Sequence, residues 1–195
     1  MENTELFSSS FKPAPLWWEV GKPTDMTETE LPREADVVVI GAGYTGLNAA
    51  LQTAREGLST LVIDAEAAGW GCSTRNGGQV SNSVKPGFST LKRRYGEAVA
   101  TALLEEGAAS RDYLIKLVAD EELDCDLREV GRFHGAHLPR LYDALGKECT
   151  ERHPVWKTDA FMVPKSEMAT ELGTDAYHGG IVYPHHCSID PGKYH

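Results

Sequence analysis

The run Ala35-Asp-Val-Val-Val-Ile40 leads directly into Gly41-Ala-Gly43-Tyr-Thr-Gly46, and this junction constrains the fold more than any other part of the chain. A β-branched run of that length reads as a strand. Beyond the glycines, Leu47, Ala50, Leu51 and Ala54 recur at helical spacing across Tyr44–Glu56, with Gly57 as a natural stop. Ser59–Asp64 (STLVID) reads as a second buried strand. Strand, helix and strand in so short a stretch form a βαβ unit, whose two strands must run parallel. The expected fold is therefore α/β with a parallel sheet.

G-x-G-x-x-G by itself is a weak pattern, because any glycine-rich turn can match it. Its place after a strand and at the opening of a helix gives it meaning. Gly41 permits the sharp turn off the strand, Gly43 lets a pyrophosphate reach the backbone without meeting a Cβ, and Gly46 allows the helix to pack closely on the strand. Tyr44 and Thr45 open the helix, whose unpaired N–H groups and positive dipole end favour an anion. Asp64 ends the second strand, where a carboxylate can accept both hydroxyls of an adenosine ribose and repel a 2′-phosphate. The alternative is a glycine turn with an incidental surface aspartate. An adenine dinucleotide other than NADP is the expected ligand, and this unit serves FAD and NAD alike. A plain NAD domain would proceed soon to another βα unit. Here Gly69-Trp-Gly-Cys-Ser-Thr-Arg-Asn-Gly-Gly-Gln79 follows instead, a loop of small residues and backbone donors suited to the far end of a bulky cofactor.

The rest of the chain reads more coarsely. Residues 1–34 form an extended arm with Pro13, Pro15, Pro23 and Pro32 and one apolar knot, Leu16-Trp17-Trp18, expected to pack on the body because two solvated indoles are costly. Residues 35–90 hold the βαβ unit and a long loop over 65–90. Residues 91–195 hold the remaining elements. Helical character spans Thr90–Leu123, with Gly96 and Gly107 as possible divisions. Cys125–Arg128 and Arg132–Ala136 read as short strands around a turn at Gly131, Leu138–Glu151 and Lys165–Leu172 as helices, and Gly180–Tyr183 as a last strand.

Composition excludes several classes. With 29 acidic against 19 basic residues, the net charge of −10 would repel a phosphate backbone, so no nucleic-acid partner is expected. No apolar run approaches the ~18 residues of a membrane span, and no secretory signal is visible. The four cysteines, 72, 125, 149 and 187, form no C-x-x-C pair, as suits free thiols in the cytoplasm. His134 and His137, on a strand, would face opposite ways, and neighbouring His185 and His186 likewise, so no metal site is expected. Gly71-Cys-Ser73-Thr-Arg75 lacks the second glycine of a nucleophile elbow, which leaves hydrolase chemistry unsupported.

VVVIGAGYTGL, then VIDA, then GWGCSTRNGGQ together resemble the D-amino-acid oxidase-like family of FAD-dependent oxidoreductases, which includes glycine oxidase, sarcosine oxidase and D-amino-acid dehydrogenase. The likeness to γ-glutamylputrescine oxidase-type amine oxidases extends to a tryptophan in the arm near Trp18. The resemblance runs to the ending PGKY, although the first 80 residues carry most of its specificity. It implies that Gly41, Gly43 and Gly46 hold the FAD pyrophosphate and Asp64 the adenosine ribose, while Ser73, Arg75, Asn76, Gly77 and Gly78 line the flavin mostly through backbone groups. Some relatives attach FAD through a histidine in this loop. None occurs between Asp64 and Gln79, so non-covalent FAD is implied. Cys72 reads as a small residue packed near the flavin. Family members are about twice as long, the size of a two-domain protein, and their second half supplies a glycine-rich segment over the flavin and much of the substrate pocket.

The expectation is thus a Rossmann-like FAD-binding domain interrupted by the start of an α+β substrate domain, forming the N-terminal half of such an enzyme. The reaction implied is hydride transfer from the C–N bond of a small amine or amino acid. No side chain among these residues stands out as a catalytic acid or base. An NAD-dependent Rossmann dehydrogenase and a non-catalytic nucleotide-binding half-protein remain the alternatives.

Overall fold

Strand β1 (Val37–Ile40) pairs in parallel with β2 (Thr60–Ile63), Val37 opposite Thr60 and Ile40 opposite Ile63, and helix α1 (Tyr44–Arg55) crosses between them. The periodicity of α1 sets its buried face, on which Ala50 lies, while Val37 and Val39 alternate with the exposed Val38 and Ile40 along β1. The chain is seen in a computed structural model that describes residues 7–23, 30–150 and 159–195. Parts of the expected arm (1–6 and 24–29) and Glu151, the expected end of a helix, lie outside the described residues.

Two compact units divide the chain, one running to Gly77 and taking up Asp190–His195, the other spanning Gly78–Ile189. Besides the βαβ element, the first unit contains 3₁₀ turns at Leu16–Glu19 and Cys72–Thr74 and a one-turn helix at Pro191–Tyr194. Asp190 caps that helix, its Oδ1 accepting the N–H groups of Gly192 and Lys193, with Pro191 at the first position where its missing N–H costs nothing.

The second unit begins with β3 (Gln79–Val80), followed by α2 (Phe88–Tyr95) and α3 (Glu97–Asp120). Strands β4 (Arg132–Gly135), β5 (Phe161–Pro164) and β6 (Gly179–Tyr183) form an antiparallel sheet in the order β4-β6-β5. Helix α4 (Pro139–Thr150) packs on this sheet, placing Leu145 against Ala136, Ile181 and Tyr183. Strand β7 (Cys187–Ser188) pairs antiparallel with β3. A second cluster joins Leu91 of α2 to Ala100 and Leu104 of α3. Ile181 and Leu104 are fully buried, each worth about 1.5–3 kcal/mol in area removed from water.

Several expectations change here. Gly96 does divide the long helical stretch, with φ of +84° between α2 and α3. Gly107 does not: it lies within α3, where a Cβ would meet Val84 Cγ2 at 2.5 Å, so it is required for close packing. The 65–90 loop contains β3 and the start of α2. Cys125–Arg128 forms no strand, and only Arg128 makes an isolated bridge to Ser188. Lys165–Leu172 is a 3₁₀ helix over Lys165–Thr170. Strand β5 was not anticipated, since its ladder exists only through β6. His185 and His186 occupy the turn after β6 rather than a strand, and His186 is buried, stacked on Tyr183 at 4.8 Å with Nε2 at 3.2 Å from Asn82 Oδ1.

Candidate functional site

The site is built where β1 ends. Gly41 takes φ of +104°, a conformation that L side chains rarely adopt, and its N–H still donates to Ile63 O at 2.7 Å, so the turn begins only after the ladder is complete. Gly43 caps α1 in extended conformation. At Gly46 a Cβ would lie 1.9 Å from Gly41 O and 3.2 Å from Val39 Cγ1, which ties the close approach of α1 and β1 to a missing side chain. The first N–H groups of any helix have no partner within it, and those of α1 open at this turn.

Asp64 stands just past β2. Its Oδ2 accepts the Ala42 N–H at 2.6 Å and its Oδ1 the Glu66 N–H at 3.0 Å. These two bonds hold the exposed carboxyl below the ordinary range, the Ala42 bond contributing most. Each carboxylate oxygen retains a further acceptor direction for a ligand hydroxyl.

The opposite wall is the Cys72–Thr74 turn. Ser73 Oγ accepts the Tyr44 N–H at 3.0 Å, and a Cβ on Gly43 would meet that hydroxyl at 2.9 Å. Asn76 Nδ2 donates to Cys72 O and Ser73 O, at 3.2 and 2.9 Å, closing the turn. Trp18 Nε1 donates to Thr74 Oγ1 at 2.8 Å, and that buried hydroxyl donates to Gly69 O at 2.7 Å. Trp17 Nε1 donates to Asn76 O at 2.8 Å. The Arg75 guanidinium stacks on the rings of Trp18 and Trp70, 4.6 and 4.1 Å from their centroids. The aromatic knot therefore packs on the 69–76 segment.

Between turn and helix lies a cleft of about 540 Å³, bordered by Gly41, Gly43, Gly46, Cys72, Ser73 and Asn76. Tyr44 and Thr45 also border it, and the Tyr44 hydroxyl donates to Pro191 O at 3.0 Å. Asp64 is not on its lining but is bonded to the same glycine turn. The Arg75 side chain is engaged by the indoles, Gly77 has open space around its Cα, and Gly78, with φ of +65°, belongs to the second unit, where its carbonyl accepts the Ile189 N–H. The residues drawn from the motif thus come together only in part. Sequence reasoning missed the role of Trp17 and Trp18 at the turn, and missed His195, whose Nε2 donates to Ala42 O at 2.5 Å. The knot was visible in the sequence; its partner was not.

The second unit has its own cleft of about 1,090 Å³, bordered by Lys85, Arg132, His134, Lys147, Glu148 and Tyr183. Among the described residues, no group of three or more His, Cys, Asp or Glu is placed to hold a metal, and no helix is long and apolar enough to cross a membrane. All four cysteines are free.

Residues 36–195 match the family described as DAO, FAD dependent oxidoreductase. The chain belongs to this family. Among DAO relatives, it is 30% identical over 179 residues to a probable oxidoreductase, OrdL, of Rhizobium meliloti, covering 90% of this chain and 41% of the relative. It is 30% identical over 150 residues to gamma-glutamylputrescine oxidoreductase of Escherichia coli, covering 75% of this chain and 34% of the relative. Glycine oxidase from Bacillus cereus shares the fold, with a TM-score of 0.64 at 14% identity over 83% of this chain and 43% of that one. The chain therefore spans about two fifths of the length of these DAO relatives.

Proposed function

We propose that this chain holds FAD non-covalently and contributes to oxidation of a small amine or amino acid. The observation carrying the reading is the meeting of three features at one turn: the positive φ of Gly41, the side-chain-free approach at Gly46, and the Asp64 carboxylate bonded to Ala42. The residues suit such a ligand. The gap between Gly43 and Ser73 would be filled by any Cβ, and the α1 N-terminus offers N–H donors to a pyrophosphate.

When bound, FAD supplies the hydride acceptor for a carbon bearing an amine, the product imine then hydrolysing to a carbonyl. The glycine turn and the α1 N–H groups would bind the pyrophosphate, and Asp64 would accept the adenosine ribose hydroxyls. Ser73, Asn76 and the backbone of Arg75, Gly77 and Gly78 would orient the flavin half. The cleft bordered by Arg132 and Tyr183 has the size of a small-molecule site and is the proposed place for substrate. The lack of a histidine between Asp64 and Gln79 supports non-covalent attachment.

Titration of the chain with FAD and with NAD, followed by flavin fluorescence and calorimetry, tests this reading. FAD should bind, NAD should not displace it, and acid precipitation should release all flavin into the supernatant. Binding of NAD in preference to FAD would establish the dehydrogenase alternative. Anaerobic bleaching of the flavin bands by an amine tests the reaction itself.

A further inference from the structure

We propose that Trp17 and Trp18 are positioning residues for the flavin half of the cofactor, an inference that rests on the functional reading above. The two indole N–H groups reach the two ends of one short turn, Trp18 at Thr74 Oγ1 and Trp17 at Asn76 O, both at 2.8 Å. Thr74 is fully buried, and its hydroxyl is used twice, accepting from Trp18 and donating to Gly69 O. The adjoining residue, Ser73, carries the hydroxyl that takes the Tyr44 N–H and stands where a Gly43 Cβ would come. A displacement of Thr74 therefore moves Ser73, and with it the wall of the cleft facing the glycine turn. The Arg75 guanidinium, stacked on Trp18 and Trp70, keeps its charge on the indole side and leaves the backbone of the turn for the ligand.

The glycine turn itself is built differently. Gly41 is held by the β2 carbonyl of Ile63, and Ala42 by Asp64 and His195. The arm should consequently govern affinity for the flavin end of FAD more than for the adenosine diphosphate end, which it reaches only through the Ser73 bond to Tyr44. This separates positioning from general support of the fold, which would weaken both equally.

The test compares FAD with ADP on the unaltered chain and on Trp18→Phe, which loses the N–H donor and keeps an aromatic face over Arg75. FAD should bind about tenfold more weakly to the variant, the scale of one lost hydrogen bond, with a clearly smaller loss for ADP. Thr74→Val added to Trp18→Phe should cost less FAD affinity than the two single losses summed, because the Trp18–Thr74 bond is common to both, while the Thr74 bond to Gly69 O is lost only with Thr74. Trp17→Phe provides an independent variant through Asn76 and should show the same split between FAD and ADP. Unchanged FAD affinity in both tryptophan variants, or equal losses for FAD and ADP, overturns the inference. Failure of the unaltered chain to bind FAD is a different result: it overturns the functional reading and this inference with it.

Discussion

Asp64 and Ala42 are joined by a hydrogen bond of 2.6 Å, the Oδ2 of the carboxylate accepting the backbone N–H in the middle of the glycine turn. The residue just past the second strand thus holds the loop that follows the first. This bond explains why the carboxyl is depressed, and it gives the acid a task in the chain itself beside the one proposed toward a ribose.

Because the folded carboxyl lies lower than the unfolded one, its stabilisation is present above the unfolded value of about 3.9 and is lost as pH falls through the folded value. Asp64→Asn keeps one carbonyl acceptor and removes the charge. Thermal melts between pH 7 and pH 2 should show a shallower acid limb in Asp64→Asn than in the unaltered chain, and FAD affinity at pH 7 should fall. Parallel acid limbs would contradict the assigned shift.

Gly46 and Gly43 should respond differently to an added side chain. Gly46→Ala forces a Cβ onto Gly41 O, a backbone atom that cannot move without opening the β1–α1 contact, and should destabilise the chain by about 3 kcal/mol in urea unfolding. At Gly43 the obstacle is the Ser73 hydroxyl, which can rotate away. Gly43→Val should retain the folded circular dichroism spectrum and lose bound FAD. Undiminished FAD content in Gly43→Val would remove the phosphate-loop assignment.

Cys72 is exposed and borders the first cleft, whereas Cys125 and Cys187 are buried and desolvation pushes their thiols up. Thiolate is the reactive form, so burial and the raised thiols both slow reaction at Cys125 and Cys187. Iodoacetamide at pH 8 should modify Cys72 before Cys125 or Cys187, and saturating FAD should slow that modification, as peptide mass spectrometry will measure. Early modification of Cys187 would be inconsistent with its 5% exposure.

On β1, Val38 and Ile40 are 51% and 85% exposed, although parallel sheets are ordinarily covered on both faces. The two residues lie on the face turned away from the one on which Val39 approaches α1. The chain should bind the dye ANS there, and a Val38→Thr, Ile40→Thr double variant should lower the dye fluorescence while preserving helix content, since threonine keeps the β-branched shape. An unchanged signal would locate the dye elsewhere.

The order of residues alone determined the βαβ unit, because each of its parts is local: β-branched residues for the strands, 3.6-residue spacing for α1, glycines where the backbone must turn or approach. It likewise placed Asp64 at the C-terminal edge of the second strand, one residue past β2 in the structure. Tertiary structure decided what depends on residues distant in the chain. The 79–80 and 161–164 segments became strands only by pairing with 187–188 and 179–183, and Gly107 proved to be a packing position because Val84 lies over it. The tryptophan knot was visible, but its partners, Thr74 and Asn76, were not, since no spacing rule links residues 17 and 18 to 74 and 76. Local dihedral preference and periodicity are written residue by residue; a hydrogen bond across more than fifty residues exists only after the chain has closed on itself.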